Sequence, residues 1–310
     1  MAEAYWNWGW KCGISDIEAI CKITELCNIN GVCVNSAAEL AAWMMECQER
    51  GLLSTEETGG FELTWGDGAG SVKLMEMIIE RKGFGNVLAE GVKRAADTVG
   101  NNTQEYAMHV KGIELDGDEW RQNKASALTA AVAERGASVV RPWGLPIDLG
   151  VLFSDVTGLT EKPDTNEEKG IAKWYKPYKE LSVAANCSGV CLYPALFDVP
   201  NVQQIIKGYN AVTSRKIDLG EYLKIGERTV CVQRAFNARE GFDRKDDTLP
   251  KRILNEPIKG GPFDGRRIMD LDGMLDEYYE ESGFDKKTGW PTREKLEGLG
   301  LSDIADQLYS

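Results

Sequence analysis

The stretch Ser15-Asp16-Ile17-Glu18-Ala19-Ile20-Cys21-Lys22-Ile23-Thr24-Glu25-Leu26-Cys27-Asn28-Ile29-Asn30-Gly31-Val32-Cys33 decides the fold class. Ser15 can cap a helix running to about Cys27, on which Ile17, Ile20, Cys21, Ile23 and Leu26 give a mostly apolar face. The helix then runs into a glycine, which permits a sharp backbone turn. This grammar of cap, helical period and closing glycine recurs along the chain. A second helix is expected from about Ser36 to Arg50, starting at Asn35 or Ser36 and stopping at Gly51. Ser71 can cap a third that ends near Gly83, and Asn86 to about Val99, closed by Gly100, reads as a fourth. Another spans roughly Asp118 to Arg135.

Ile147 to Lys169 mixes Gly, Pro and charged residues and reads as irregular. Helices resume at about Lys176–Asn186, Val202–Ser214, Leu219–Arg239, Leu271–Ser282, Thr292–Glu297 and Ser302–Leu308. Short extended pieces are expected only near Phe61–Thr64 and Met108–Ile113. There is no βαβ alternation and no internal repeat. The expected fold class is therefore mainly α, with two helical domains at residues 1–150 and 151–310. The interval 140–180, the longest break in the helical pattern, is where a boundary is expected.

A chain of 310 residues accommodates one large or two ordinary domains. Its net charge of −13 would repel a phosphate backbone, so nucleic acid is not an expected partner. No window is apolar enough for a membrane span, and Met1-Ala2-Glu3-Ala4-Tyr5-Trp6 lacks the features of a secretory signal. A soluble cytoplasmic protein is expected. Eight cysteines are present, five of them within the first 47 residues, and no pair has C-x-x-C spacing. A self-contained zinc or four-iron site is thus not written in this sequence. Disulfides are not expected, and most of the cysteines are expected to be buried thiols.

Two segments echo one another: Asn28-Ile29-Asn30-Gly31-Val32-Cys33 and Asn186-Cys187-Ser188-Gly189-Val190-Cys191. Both read N-x-x-G-V-C at the end of a helical segment. The glycine allows close approach of a ligand, the asparagine can hydrogen-bond across the turn or to that ligand, and the cysteine can act as a thiolate ligand. Two readings stay open from spacing alone. The segments are either a pseudo-symmetric pair of cofactor-facing turns or two helix C-caps with packed cysteines.

The hexamers resemble the paired D-x-x-G-L-(C/D) motifs of the tungsten aldehyde:ferredoxin oxidoreductases. Trp65-Gly66-Asp67 followed by Gly85-Asn86-Val87-Leu88-Ala89-Glu90-Gly91-Val92-Lys93 is similar to that family's W-G-(D/N)…G-(D/N)-x-L-A-E-G-V segment. Val110-Lys111-Gly112-Ile113-Glu114 resembles its V-K-G-x-E strand. Arg234 to Pro250 is similar to its R-x-F-N-x-R-E-G-x-x-R-x-D-D-x-L-P signature. Tyr278-Tyr279, Gly289-Trp290-Pro291-Thr292 and Leu299-Gly300-Leu301 resemble its C-terminal end.

The resemblance implies a tungsten bis-pterin cofactor, with molybdenum as the alternative metal, beside a 4Fe-4S cluster. It implies that Asn28, Gly31, Cys33, Asn186 and Gly189 face pterin and that Cys191 is one cluster ligand. For Cys33 a packed thiol is an equal alternative, and for Cys187 a packed thiol is the expectation. Both leading positions are Asn where the family usually has Asp, which keeps an acceptor oxygen and loses the charge. The family's R-G-A-x-H segment resembles Arg135-Gly136-Ala137-Ser138-Val139, so Val139 stands where the aldehyde enzymes have a histidine. The one histidine of the sequence, His109, is expected to be structural, and no catalytic residue is assigned. Glu134 and Arg135 are candidates to line the site, with an internal ion pair the alternative for Arg135.

The family's N-terminal β-rich domain and its C-x-x-C-x-x-x-C triplet have no counterpart in the sequence. The other three cluster ligands would come from an N-terminal pterin-binding domain or subunit, with ferredoxin or another electron-transfer subunit as electron acceptor. The implied function is a component of an oxidoreductase that oxidises an aldehyde to the acid. Two alternatives stand beside it. One is the tungsten subunit of a class II benzoyl-CoA reductase-like complex, for which nine tryptophans and the apolar Val139–Trp143 segment would suit the pocket. The other is a truncated or non-catalytic scaffold chain.

Overall fold

A computed structural model of the chain describes residues 2–137, 144–151, 156, 158–161, 164–191 and 201–310. It is mainly α-helical, as expected. Among the described residues the one sheet is a two-stranded hairpin. The chain forms two compact units. The first holds residues 1–119, 135–137 and 250–252, and the second holds 120–134, 138–249 and 253–310. The main change-over falls at Glu119–Trp120, ahead of the irregular stretch.

In the first unit, helix α1 (Ile17–Asn30) is capped by Asp16 rather than Ser15, its carboxylate accepting from the backbone N–H groups of Glu18 and Ala19. Helix α2 (Val34–Glu49) buries ten residues, among them Trp43, Met44 and Met45. Helix α3 (Gly68–Ile79) starts three residues before Ser71 because Asp67 caps it, accepting from Gly70 N–H. A Cβ on Gly68 would come 2.8 Å from the Ala19 Cβ, so a glycine is what lets α1 and α3 pack closely. Trp8, Ile20, Ile23, Trp43, Leu74 and Leu88 belong to the core that these helices enclose.

The expected helix over Asn86–Val99 is two helices, α4 (Gly85–Leu88) and α5 (Val92–Val99). Gly91, at φ +88°, breaks it. The second piece starts afresh because the Glu114 carboxylate accepts from Val92 N–H at 2.8 Å. Glu114 lies on the hairpin β1 (His109–Val110) and β2 (Ile113–Glu114), joined by Lys111 and Gly112, both at positive φ. That is the turn chemistry a two-residue hairpin loop demands. The extended piece at Phe61–Thr64 has no strand partner. The Gln48 side chain takes that place, accepting from Leu63 N–H and donating to the Phe61 carbonyl.

In the second unit, the helix expected over Asp118–Arg135 is only Lys124–Val132 (α6), with every residue buried. Asp148 restrains its start by accepting from the backbone N–H groups of Ala125 and Ser126. The Lys124 ammonium, 5% exposed, is held by Glu168 and by the carbonyls of Arg121 and Arg267. Helix α7 (Ala172–Cys187) begins earlier than expected and carries Pro177 inside. It packs along α9 (Leu219–Arg239), which follows α8 (Val202–Thr213), and against α10 (Leu271–Ser282). Gly226 lets α9 approach α7 closely, since a Cβ there would meet the Glu180 carbonyl at 1.9 Å.

The signature from Arg234 to Pro250 is the brace of this unit. Arg234 on α9 pairs with Asp247 through two bonds of 3.1 and 2.6 Å and donates to the carbonyls of Gly289 and Val132. Tyr279 Oη donates to the same carboxylate at 2.5 Å. Burial disfavours the Arg234 charge, but Asp247 beside it outweighs that and holds the guanidinium charged. Asn237 fastens the Glu134 carbonyl at 2.6 Å, and Arg244 ties the following turn to Asp272 and Asp276.

Two predictions follow from this packing. Asp247→Asn is expected to destabilise the protein by about 3–5 kcal/mol, because it leaves Arg234 a buried cation without its partner; urea unfolding followed by circular dichroism measures it. Burial pushes the Glu180 carboxyl up to about 7, against the opposing pull of Lys176. Its acid form is therefore favoured by folding, so stability falls as pH rises from the ordinary glutamate range through neutrality. Glu180→Gln is expected to remove up to about 3 kcal/mol of the stability difference between about pH 5 and about pH 8. Urea midpoints of both proteins at the two pH values check this.

Candidate functional site

The two hexamers share one backbone closure. In the first, Gly31 follows α1 at φ +68°, and Val32 N–H donates to the Cys27 carbonyl at 2.9 Å. In the second, Gly189 lies just past α7 at φ +73°, and Val190 N–H donates to the Ala185 carbonyl at 3.0 Å. Each is a six-residue closure by which a helix terminates on a left-handed glycine. Asparagine comes directly after the accepting residue in both. A Cβ on Gly31 or Gly189 would meet nothing within 4 Å. Glycine is needed there for its positive φ, and the face of each turn is open. The first turn belongs to the first unit and the second to the second.

The cysteines divide by place, with Cys21 partly exposed between a buried and an exposed group. Cys12, Cys27, Cys47 and Cys231 are buried. Burial pushes Cys12, Cys47 and Cys231 up to about 12 and Cys27 to about 11, so these thiols are inert packing groups. Cys33, Cys187 and Cys191 are exposed, and all three belong to the hexamers. The packed-thiol expectation for Cys187 is thus corrected: it ends α7 on the surface, with Sγ 3.5 Å from Thr229 Oγ1. Cys33 opens α2 at its N-cap position, with no side-chain capping bond.

The asparagines differ in setting. Asn28 is exposed. Asn186 is half-buried, and its Nδ2 is shielded from solvent without a hydrogen-bond partner. A buried amide donor left unpaired is costly, so this atom is one that a ligand acceptor would satisfy. Among the described residues, no three His, Cys, Asp or Glu side chains converge as a metal site.

Three further candidates are placed. His109 sits at the hairpin, where Nδ1 accepts from Gly112 N–H at 3.3 Å, and burial lowers its pKa, so the imidazole is neutral near physiological pH. Glu134 is bound at 2.6 Å by the buried Lys179 ammonium, which also donates to Tyr278 Oη at 3.0 Å. This polar group inside the second unit has no signature in sequence spacing, since Glu134, Lys179 and Tyr278 come from distant elements. Arg135 is exposed and forms no ion pair among the described residues. Val139, and the Val139–Trp143 segment with it, lies outside the described residues.

Residues 2–301 match the family described as aldehyde ferredoxin oxidoreductase, domains 2 and 3. The chain belongs to the aldehyde ferredoxin oxidoreductase family. It is 31% identical over 306 residues to the tungsten-containing aldehyde ferredoxin oxidoreductase of Pyrococcus furiosus, a match spanning 97% of this chain and 48% of the relative. The corresponding enzyme of Thermococcus kodakarensis matches to the same extent. The aliphatic sulfonate oxidoreductase WOR-like subunit of Pyrococcus furiosus is 29% identical over 309 residues, covering 95% and 44% of the two chains. The chain thus spans about half the length of the curated relatives it matches. A solved structure, the active site complex BamBC of benzoyl coenzyme A reductase in complex with 1,5-dienoyl-CoA, shares the fold at a TM-score of 0.76 and 19% identity. It covers 98% of this chain and 49% of the matched chain. Among the described residues no helix is long and apolar enough to cross a membrane.

The exposure pattern has a direct test. Brief iodoacetamide treatment of the native protein, read by peptide mass spectrometry, is expected to modify Cys33, Cys187 and Cys191. Cys12, Cys27, Cys47 and Cys231 are expected to react only after unfolding. Equal labelling of both groups would contradict the division.

Proposed function

We propose that this chain is the cofactor-facing helical part of a cytoplasmic tungsten-pterin and iron–sulfur oxidoreductase. The observation that carries the proposal is the pair of equivalent open turns, which hold every exposed cysteine of the described residues. Asn28, Gly31 and Cys33 at the first turn and Asn186 and Gly189 at the second would face the two pterins. The unpartnered Nδ2 of Asn186 would donate to a pterin acceptor. Cys191 would supply one thiolate to a 4Fe-4S cluster, whose remaining three ligands come from an N-terminal pterin-binding domain or subunit. Molybdenum in place of tungsten is compatible with the same turns.

When bound, such a metal–pterin centre and cluster would supply the two-electron oxidation of an aldehyde and one water to the acid, with two protons released to solvent and the electrons leaving singly to ferredoxin or another electron-transfer subunit. The chain's own contribution is to bind and orient the pterins and to exclude water. Asparagine at both leading positions donates and accepts without adding charge. A benzoyl-CoA reductase-like role is the second reading, favoured by the fold likeness.

The test is metal analysis of the chain produced together with a partner carrying the C-x-x-C-x-x-x-C triplet. About one tungsten or molybdenum and about four irons per complex are expected. Cys191→Ser is expected to lower the iron content and alter the cluster's electron paramagnetic resonance signal while leaving the fold intact by circular dichroism. A well-folded, metal-free complex would support the non-catalytic scaffold reading instead.

A further inference from the structure

The chain carries 49 acidic residues against 36 lysines and arginines, yet one stretch of the second unit runs the other way. Residues 201–217 include Lys207, Arg215 and Lys216 and no acidic residue. Helix α8 supplies Lys207, and the loop that follows it supplies the other two. That loop is fastened back onto the helix. Asn210 Nδ2 donates to the Ile217 carbonyl at 2.9 Å, and its Oδ1 accepts from Ile217 N–H at 3.0 Å. Lys207 and Asn210 are neighbours on the helix surface, three residues apart. The clamp therefore holds the loop cations beside the C-terminal half of α8.

All three cations are exposed, and none has a carboxylate within ion-pair distance among the described residues. Elsewhere exposed cations of this chain are paired: Lys22, Arg81, Lys93, Lys251 and Lys286 each hold a carboxylate. Between Lys207 and Arg215 in sequence stands Val212, an apolar residue that is 87% exposed.

This face adjoins the second hexamer turn. Tyr209, on α8, meets Tyr222 of α9 edge-on, with ring centroids 6.3 Å apart. The Tyr222 hydroxyl is in turn 3.0 Å from Ser188 Oγ. Ser188 belongs to the turn that leads to Cys191. Two side chains thus bridge α8 and that turn.

We propose that Lys207, Val212, Arg215 and Lys216 form the docking surface for a small acidic electron-carrier protein. The proposal rests on the reading in which Cys191 ligates a cluster. Single-electron transfer weakens steeply with distance, so a carrier must settle close to that turn. The chain as a whole, at −13, repels an acidic body, and a local positive face is what steers one to a particular place. The same net charge disfavours an extended polyanion, which would overrun so small a face. Electron-transfer encounters use small interfaces, and three cations with one exposed apolar residue are on that scale.

The probe is a bacterial ferredoxin of acidic isoelectric point, titrated against the full chain by calorimetry. Saturable binding is expected at about 0.05 M salt, weakened at least about tenfold by about 0.5 M salt. Carbodiimide coupling joins a lysine amine directly to a carboxylate, and is expected to link ferredoxin to Lys207 and Lys216 in peptide mass spectra. Lys207→Glu, Arg215→Glu and Lys216→Glu together are expected to weaken binding at least about tenfold. Lys82→Glu, Lys259→Glu and Lys287→Glu together make an equal change of net charge at exposed lysines on other elements. They are expected to weaken it less than about threefold. Equal weakening by both sets, cross-links that avoid the face, or no binding at low salt overturns the proposal. Binding to phosphatidylserine vesicles or to duplex RNA that only the first set abolishes overturns it as well, in favour of a polyanion. Should the first set fail to fold, the cross-link positions on the unmodified chain decide. Metal analysis of the complex reports separately on the cluster reading, so the two can fail independently.

Discussion

Arg234 is charged and fully enclosed, and the second unit is organised around that fact. A buried guanidinium has five N–H donors to satisfy and no means of losing its charge. Asp247 meets it through two bonds, while the carbonyls of Gly289 and Val132 take further donors. Each partner comes from a different part of the chain: the end of α6, the loop after α9, and the turn after α10. Tyr279, from α10, donates to the same carboxylate. Such a node is poor as a source of net stability, since desolvation consumes most of the Coulomb gain. It is strong as a specification, because an arrangement that separated these elements would strand a buried charge. The Asn237 bond to the Glu134 carbonyl and the Lys179–Glu134 pair extend the same logic.

The two hexamer turns obey the opposite rule. Their geometry is local: a helix end, one carbonyl accepting from an N–H five residues on, and a glycine in the left-handed region. Nothing in the surrounding fold is needed to form it. The surroundings decide exposure instead. Four cysteines are enclosed and have their thiols pushed upward by burial, while Cys33, Cys187 and Cys191 face outward. Thiols left at a surface are available for ligation in a way that packed thiols are not.

Much of the helical layout is legible because it rests on short-range physics. Leu219–Arg239, Leu271–Ser282 and Ser302–Leu308 run over the expected residues. Three of the misreadings involve a partner from elsewhere. Gly91 divides an apparently continuous helix because Glu114, on the hairpin, caps the second piece. Phe61–Thr64 looks like a strand, yet its backbone is paired by a glutamine side chain. Asp118–Arg135 shortens to α6, whose first turn is held by Asp148. Asp16 and Asp67 displace the serines expected as caps, a choice between nearby cap residues that sequence alone leaves balanced. For the candidate site, the turns were readable as a repeated hexamer. The exposure of Cys187 was not, because a cysteine after a helix is compatible with either face.

The Ser15–Cys33 stretch shows where the division lies. By itself the sequence determined the helix and a glycine turn leading into Cys33, since a cap, a 3.6-residue period and a left-handed glycine act over a few residues; it placed the helix end at about Cys27, where the structure carries it on to Asn30. It also determined the family, because the motifs recur in order along nearly the whole chain. Only the tertiary structure decided that Cys27 is sealed in the core while Cys33 is outside. Only it decided that Asn186 keeps an unpaired donor. Burial and hydrogen-bond satisfaction depend on what packs against a residue, and those neighbours come from parts of the chain that no local pattern encodes.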